Sequence, residues 1–123
     1  SDGLSLDPDG PTGIGVPHPR SYGTFPRVLG RYIGADQISL ERAIQICTSA
    51  PAEKLRIKDR GYIRSGYKAD VVVFDPLTIK DTATYEEPHQ YPSGINYVVV
   101  NGEIVIKDGE HSLSKPGEIL HLS

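Results

Sequence analysis

The chain is 123 residues long and carries 13 lysines and arginines against 16 aspartates and glutamates, a formal net charge of −3. That length suits one ordinary domain, and the lack of a basic stripe excludes nucleic acid as a natural partner. One cysteine, Cys47, rules out an internal disulfide, and no signal peptide or apolar run of ~18 residues is present, so no membrane span and a reducing, cytoplasmic setting are expected. The 13 glycines and 10 prolines favour a loop-rich or β-rich body over a helix bundle. There is no methionine at any position, and the chain starts within a polar loop; a piece of a longer protein is expected.

Residues 1–17, SDGLSLDPDGPTGIGVP, carry turn signals in succession and are expected to form a loop. A structureless run of that length points to function or disorder. The next stretch, HPRSYGTFPRVLG (18–30), holds two prolines, two arginines and two aromatic residues without a helical or strand period. The loop is expected to continue through it, anchored by Phe25, Val28 and Leu29. Only from Pro26, suited to a first helical position, is a short helix expected. SLERAIQIC (39–47) predicts the clearest helix. Ser39 is a natural N-cap, and Leu40, Ala43, Ile44 and Cys47 fall at i, i+3, i+4 and i+7. Pro51 then opens a second short helix, PAEKL, with Glu53 in its first turn.

After residue 60 the pattern turns to strands. Val71 to Phe74, flanked by Asp70 and Asp75, reads as a strand buried on both faces. Residues 75–94 contain Pro76, Pro88 and Pro92 and read as a loop with one edge strand near Thr78 and Ile79. Asn101–Gly102 then sits between two β-branched runs, the strongest short hairpin signal, predicting a hairpin over 96–107 with a second turn at Asp108–Gly109. The tail PGEILHLS is weakly determined. One hairpin with one or two further strands makes a small sheet with open edges, which a missing segment of the protein or a homodimer would cover.

Asp2, in Ser-Asp-Gly, reads by itself as a turn aspartate, as do Asp7 beside Pro8 and Asp9 beside Gly10. His18, His89, His111 and His121 form no H-x-H or H-x-x-x-H pair, so no complete metal site is recognisable. The last three read as surface or boundary residues. Arg20 and Arg27 present planar forks suited to a carboxylate, with a structural salt bridge as an equal alternative. Cys47, on an apolar helix face, reads as a small hydrophobe rather than a nucleophile. Gly10, Gly13 and Gly15 lack the preceding strand and following helix that a phosphate cradle needs.

The residues alone lead to the end piece of an α/β enzyme. Five motifs in order lead further: Ser1-Asp2-Gly3, HPRSYGTFPRVLGRYI, ISLERAIQICTSAPAEKL, DRGYIRSGYKADVVVFD and YVVVNGEIVIKDGE. Together they resemble the C-terminal part of an amidohydrolase-superfamily enzyme. The HPR and GTFPRVLG stretches narrow the resemblance to the N-acyl-D-amino-acid deacylases, or D-aminoacylases. The resemblance implies an α/β parent, a (β/α)₈ barrel beside a small β-sandwich. This chain would be α+β, with 1–60 as the barrel's last active-site loop and closing helices, and 61–123 as part of the sandwich. It implies Asp2 as the catalytic carboxylate that takes a proton from the attacking water and returns it to the leaving amine, with zinc as the parent's cofactor. The zinc ligands would lie on earlier barrel strands, outside this chain. Arg20 matches the arginine that binds the α-carboxylate of an N-acyl-D-amino acid, with Tyr22 and Arg27 supporting the substrate-binding loop. The missing N-terminal barrel segment would be the chain's partner, and the isolated chain would be inactive. The chain departs from the family in having fewer histidines between Asp2 and His18, and Ala50 where an asparagine N-cap is common. The alternatives are an amidohydrolase acting on cyclic amides, like a hydantoinase or dihydroorotase, and a stand-alone binding or assembly module.

Overall fold

The computed structural model describes residues 1–33 and 37–121. It shows an α+β protein with one four-stranded antiparallel sheet. Packing divides the chain into two units, each drawn from two stretches of sequence: residues 1–37 with 76–94, and residues 38–75 with 95–123. No helix among the described residues is long and apolar enough to cross a membrane.

In the first unit, residues 1–17 form the expected loop, interrupted by one 3₁₀ turn at Pro11–Gly13. Asp7 builds its central turn. The Asp7 carbonyl accepts from the Gly10 N–H at 3.0 Å, its Oδ1 accepts from the Asp9 N–H at 3.2 Å, and its own N–H donates to Thr12 Oγ1 at 2.9 Å.

The loop expected over 18–30 is instead a helix. α1 spans Arg20–Arg27 and widens into a π-helical turn at Val28–Tyr32. The N-terminal signal is His18-Pro19. Pro19 has helical dihedrals (φ −53°, ψ −21°), and His18 caps the helix with Nδ1, which accepts from the Arg20 N–H at 3.0 Å. Pro26 falls near the C-terminal end. It has no N–H to offer the Tyr22 carbonyl, and its ring crowds that group, so the helix loosens immediately after it. A proline this late widens the last turn without preventing the turns before it.

Tertiary packing offsets that cost. The buried side of α1 is Gly23 and Pro26, whereas Phe25, expected as an anchor, is half exposed. The segment Ile79, Asp81, Ala83 is buried in strand-like alternation. The edge strand expected near Thr78 and Ile79 reduces to one antiparallel bridge, in which Lys80 and Ser93 exchange backbone hydrogen bonds of 3.2 and 3.1 Å. Two glycines admit the Ile79 backbone: a Cβ at Gly30 would sit 2.3 Å from its carbonyl oxygen, and one at Gly94 2.5 Å from its nitrogen.

In the second unit, α2 spans Leu40–Cys47, and Ser39 Oγ accepts from the Arg42 N–H at 3.2 Å, as its capping role predicts. α3 spans Ser49–Lys54 and so starts before Pro51. Thr48 joins the two helices. Its hydroxyl donates to the Ile44 carbonyl at 2.7 Å, and its own carbonyl accepts from the Ala52 N–H at 3.2 Å. Ala43, Ser49 and Ala52 are the buried residues of the two helices. Burial pushes the Cys47 thiol pKa up, the direction of an inert thiol.

The sheet is a meander of β1 (Val71–Phe74), β2 (Ile95–Val100), β3 (Glu103–Lys107) and β4 (Glu110–His111), in that order. Both predicted turns are present with positive φ at both central residues: 49° and 86° at Asn101–Gly102, 51° and 84° at Asp108–Gly109. These are the dihedrals that type I′ turns require. Between Val98 and Val99 the β2–β3 register slips by one residue, a bulge on β3. Asp70 and Arg60 fasten the first turn: Asp70 Oδ1 accepts the Asn101 N–H at 2.8 Å, and Arg60 donates to Asn101 Oδ1 at 2.7 Å while pairing with Asp70. β1 lies at the sheet's edge, and Val72 and Val73 are half exposed rather than buried on both faces. The tail as far as His121 has no regular element; the last two residues of PGEILHLS lie outside the described ones.

Candidate active site

The first unit brings Asp2 and Arg20 together. Asp2 Oδ2 lies 3.0 Å from Arg20 Nη1. Asp2 adopts φ +52°, a left-handed conformation that aspartate tolerates better than most residues. Gly3 brings this segment against the first turn of α1, where a Cβ would lie 3.1 Å from both the Arg20 carbonyl oxygen and Ser21 Cα. The Leu4 N–H donates to Ser21 Oγ at 3.4 Å and continues the contact. The pair is open: the side chains are 85% and 45% exposed. Arg20 meets Asp2 through one Nη, and the guanidinium fork has a second edge with which to receive a carboxylate.

Tyr22, two residues on, faces the segment 85–91. Its hydroxyl lies 2.8 Å from His89 Nδ1, and His89 Nε2 lies 3.1 Å from the Gly15 carbonyl oxygen. A carbonyl only accepts, so Nε2 carries a proton; in the neutral imidazole Nδ1 is then the acceptor and the Tyr22 hydroxyl donates to it. Burial, then the phenol of Tyr91 and the carboxylates of Asp7 and Asp9, push the Tyr22 pKa up, so it holds its proton at neutral pH. A second pair of the same kind lies alongside. His18 Nε2 is 3.1 Å from Tyr85 Oη, with the rings edge-to-face at 5.1 Å.

Arg27 is occupied differently. Its Nε donates to Asp81 Oδ2 at 2.7 Å, and Arg31 Nε donates to Asp81 Oδ1 at 3.3 Å. The Asp81 side chain is only 4% exposed. Burial alone would push its carboxyl pKa up; the hydrogen bond from Arg27 and the charges of Arg27 and Arg31 outweigh that, and the net shift is down. Because the folded value lies below the unfolded one, the stabilisation is fully present above the ordinary aspartate range. It is lost as pH falls through the depressed value. Replacing Asp81 with asparagine is expected to cost about 2 kcal/mol at pH 7, and the gap to wild type should narrow steadily as pH falls below the ordinary aspartate range and on through the depressed value. Urea unfolding across that pH range checks it; a gap constant with pH rules out the ionic origin.

His89 and Asp81 are the two residues that sequence reasoning missed. His89 reads as a surface residue because its partners lie 67 and 74 positions away. Asp81 gave one usable signal, since it takes an apolar slot in the alternation Ile79, Asp81, Ala83. Among the described residues, no three His, Cys, Asp or Glu side chains converge as a metal site.

The chain belongs to the amidohydrolase family, whose family model matches residues 3–106. The proteins it is similar to include deacylases of N-acylated D-amino acids. It is 43% identical over 122 residues to the N-acyl-D-aspartate deacylase of Alcaligenes xylosoxydans xylosoxydans, covering 98% of this chain and 23% of the relative. A D-aminoacylase variant solved in complex with copper chloride superposes with a TM-score of 0.82 at 43% identity, over 85% of this chain and 22% of that one. The N-acyl-D-glutamate deacylase from Bordetella bronchiseptica, solved with zinc and a phosphonate inhibitor, superposes with a TM-score of 0.72 at 44% identity, over 78% and 21%. This chain thus spans less than a quarter of the length of these relatives.

Proposed function

We propose that this chain is the C-terminal part of a zinc-dependent N-acyl-D-amino-acid deacylase, which hydrolyses the acyl amide to a carboxylate and a free D-amino acid. The observation that carries the reading is the 3.0 Å approach of Asp2 to Arg20. These are the residues the family resemblance assigns to proton transfer and to the substrate carboxylate, and they meet despite their separation in sequence. Asp2 takes the proton of the attacking water and delivers it to the nitrogen of the leaving amine. Arg20 receives the α-carboxylate on the free edge of its fork and orients the scissile amide. Tyr22 and Arg27 hold α1 in place, Arg27 through Asp81.

Zinc supplies Lewis acidity and a more acidic water. One exposed carboxylate does not make a zinc site, so the ligands belong to the rest of the enzyme. In that enzyme we assign 1–60 to the end of a (β/α)₈ barrel and 61–123 to a small β-sandwich, with residues 76–94 packing back on 1–37. The open edges of the sheet, β1 and β4, are where the remaining chain or a second copy would add a strand.

Arg20→Ala in the full-length enzyme tests the reading. The KM for an N-acetyl-D-amino acid is expected to rise about 30-fold, with kcat falling less. Activity confined to hydantoins would replace the reading with a cyclic amidohydrolase.

A further inference from the structure

We propose that His89 is a positioning residue which, through Tyr22, holds the substrate-binding Arg20 in register with Asp2; the inference rests on the deacylase reading. Arg20 and Asp2 do not place each other, because an ion pair this open to water is weak and screened by salt. Their geometry comes from the backbone that carries them. Arg20 sits in the first turn of α1, and Asp2 begins the loop that runs to His18. His89 fastens one to the other. Its ring accepts from Tyr22 in that first turn and donates to Gly15 in that loop.

The ring is gripped on both nitrogens, so its orientation is set. Tyr22 is in turn wedged edge-to-face between His89 and Tyr91, with centroids 5.7 Å away in both cases. A side chain bonded at one end only would restrain α1 or the loop, not their separation. Loss of His89 frees the Tyr22 hydroxyl and the Gly15 carbonyl together; the Asp2 segment is then held against the first turn of α1 only by the close approach of Gly3 and the long, exposed Leu4–Ser21 hydrogen bond of 3.4 Å, and that turn can shift. A displacement of about 1 Å is enough to misplace a bidentate carboxylate contact.

The test compares two substrates in the full-length enzyme, an N-acetyl-D-amino acid and its C-terminal carboxamide, which Arg20 cannot grip as an anion. The ratio of their kcat/KM values reports the clamp and does not depend on how much enzyme is folded. His89→Ala and Tyr22→Phe are each expected to lower the ratio about tenfold, and the double variant no further, since both cut one linkage. His89→Asn, whose amide oxygen stands near the position of Nδ1 but whose amide ends short of the Gly15 carbonyl, restores only the Tyr22 end and is expected to leave the ratio as low as in His89→Ala. Three results overturn the inference while leaving the deacylase reading intact: a ratio within twofold of wild type in His89→Ala, losses that multiply in the double variant, or full recovery with asparagine, which bonds at one end only. A wild-type enzyme that hydrolyses neither substrate overturns both.

Discussion

Replacing Asp2 with asparagine in the full-length enzyme is expected to lower kcat on an N-acyl-D-amino acid by about 10³-fold, with bound metal unchanged. General acid–base groups contribute about 10²–10⁴-fold, and Asp2 is assigned both transfers, from the water and to the amine. Asparagine isolates the chemistry. It has the same shape, its carbonyl oxygen can still accept from Arg20, and it tolerates the φ of +52° found here as well as aspartate does. The fold and the anion clamp therefore persist while the proton acceptor is gone. KM should change little. Steady-state kinetics with metal analysis of the same preparation decide the matter, and a kcat within tenfold of wild type removes Asp2 from the role of proton shuttle.

The largest expected effect on stability is at Gly94. Its φ is +81°, and a Cβ would lie 2.5 Å from both Ile79 N and Ile79 Cα. Gly94→Ala meets two penalties at once. The left-handed conformation costs a side chain about 1–2 kcal/mol, and overpacking against backbone, which cannot rotate away, adds about 1–3 kcal/mol. A loss of about 3 kcal/mol is expected, confined at first to the first unit. The Lys80–Ser93 bridge lies next to Gly94, so amide exchange of a peptide covering residues 78–94 should speed up about 100-fold. Unchanged protection there would mean that the Ile79 segment moves aside without cost.

Both predictions rest on geometry that local pattern reveals only in part. Asp2 reads as a turn aspartate by itself, and only the ordered motifs beyond it suggest chemistry. Gly94 reads as one more loop glycine, because the backbone it accommodates lies fifteen positions away. The same holds for Arg27, whose two open interpretations, a carboxylate clamp or a structural bridge, are distinguished only by the buried Asp81, 54 positions away.

Where a structural preference is carried by neighbouring residues, the sequence by itself determined the outcome. Asn101–Gly102 and Asp108–Gly109 adopt positive φ because few other pairs do so cheaply. Ser39 starts α2 because its hydroxyl reaches the backbone N–H of Arg42. Tertiary structure alone decided that residues 20–27 form a helix despite Pro26, and that His89 grips Tyr22 and Gly15. It also decided that Asp2 meets Arg20. In each of those cases the stabilising partner is remote in sequence. The cost of a late proline, a buried carboxylate or a left-handed aspartate is local, whereas the contacts that offset it exist only once the chain has folded.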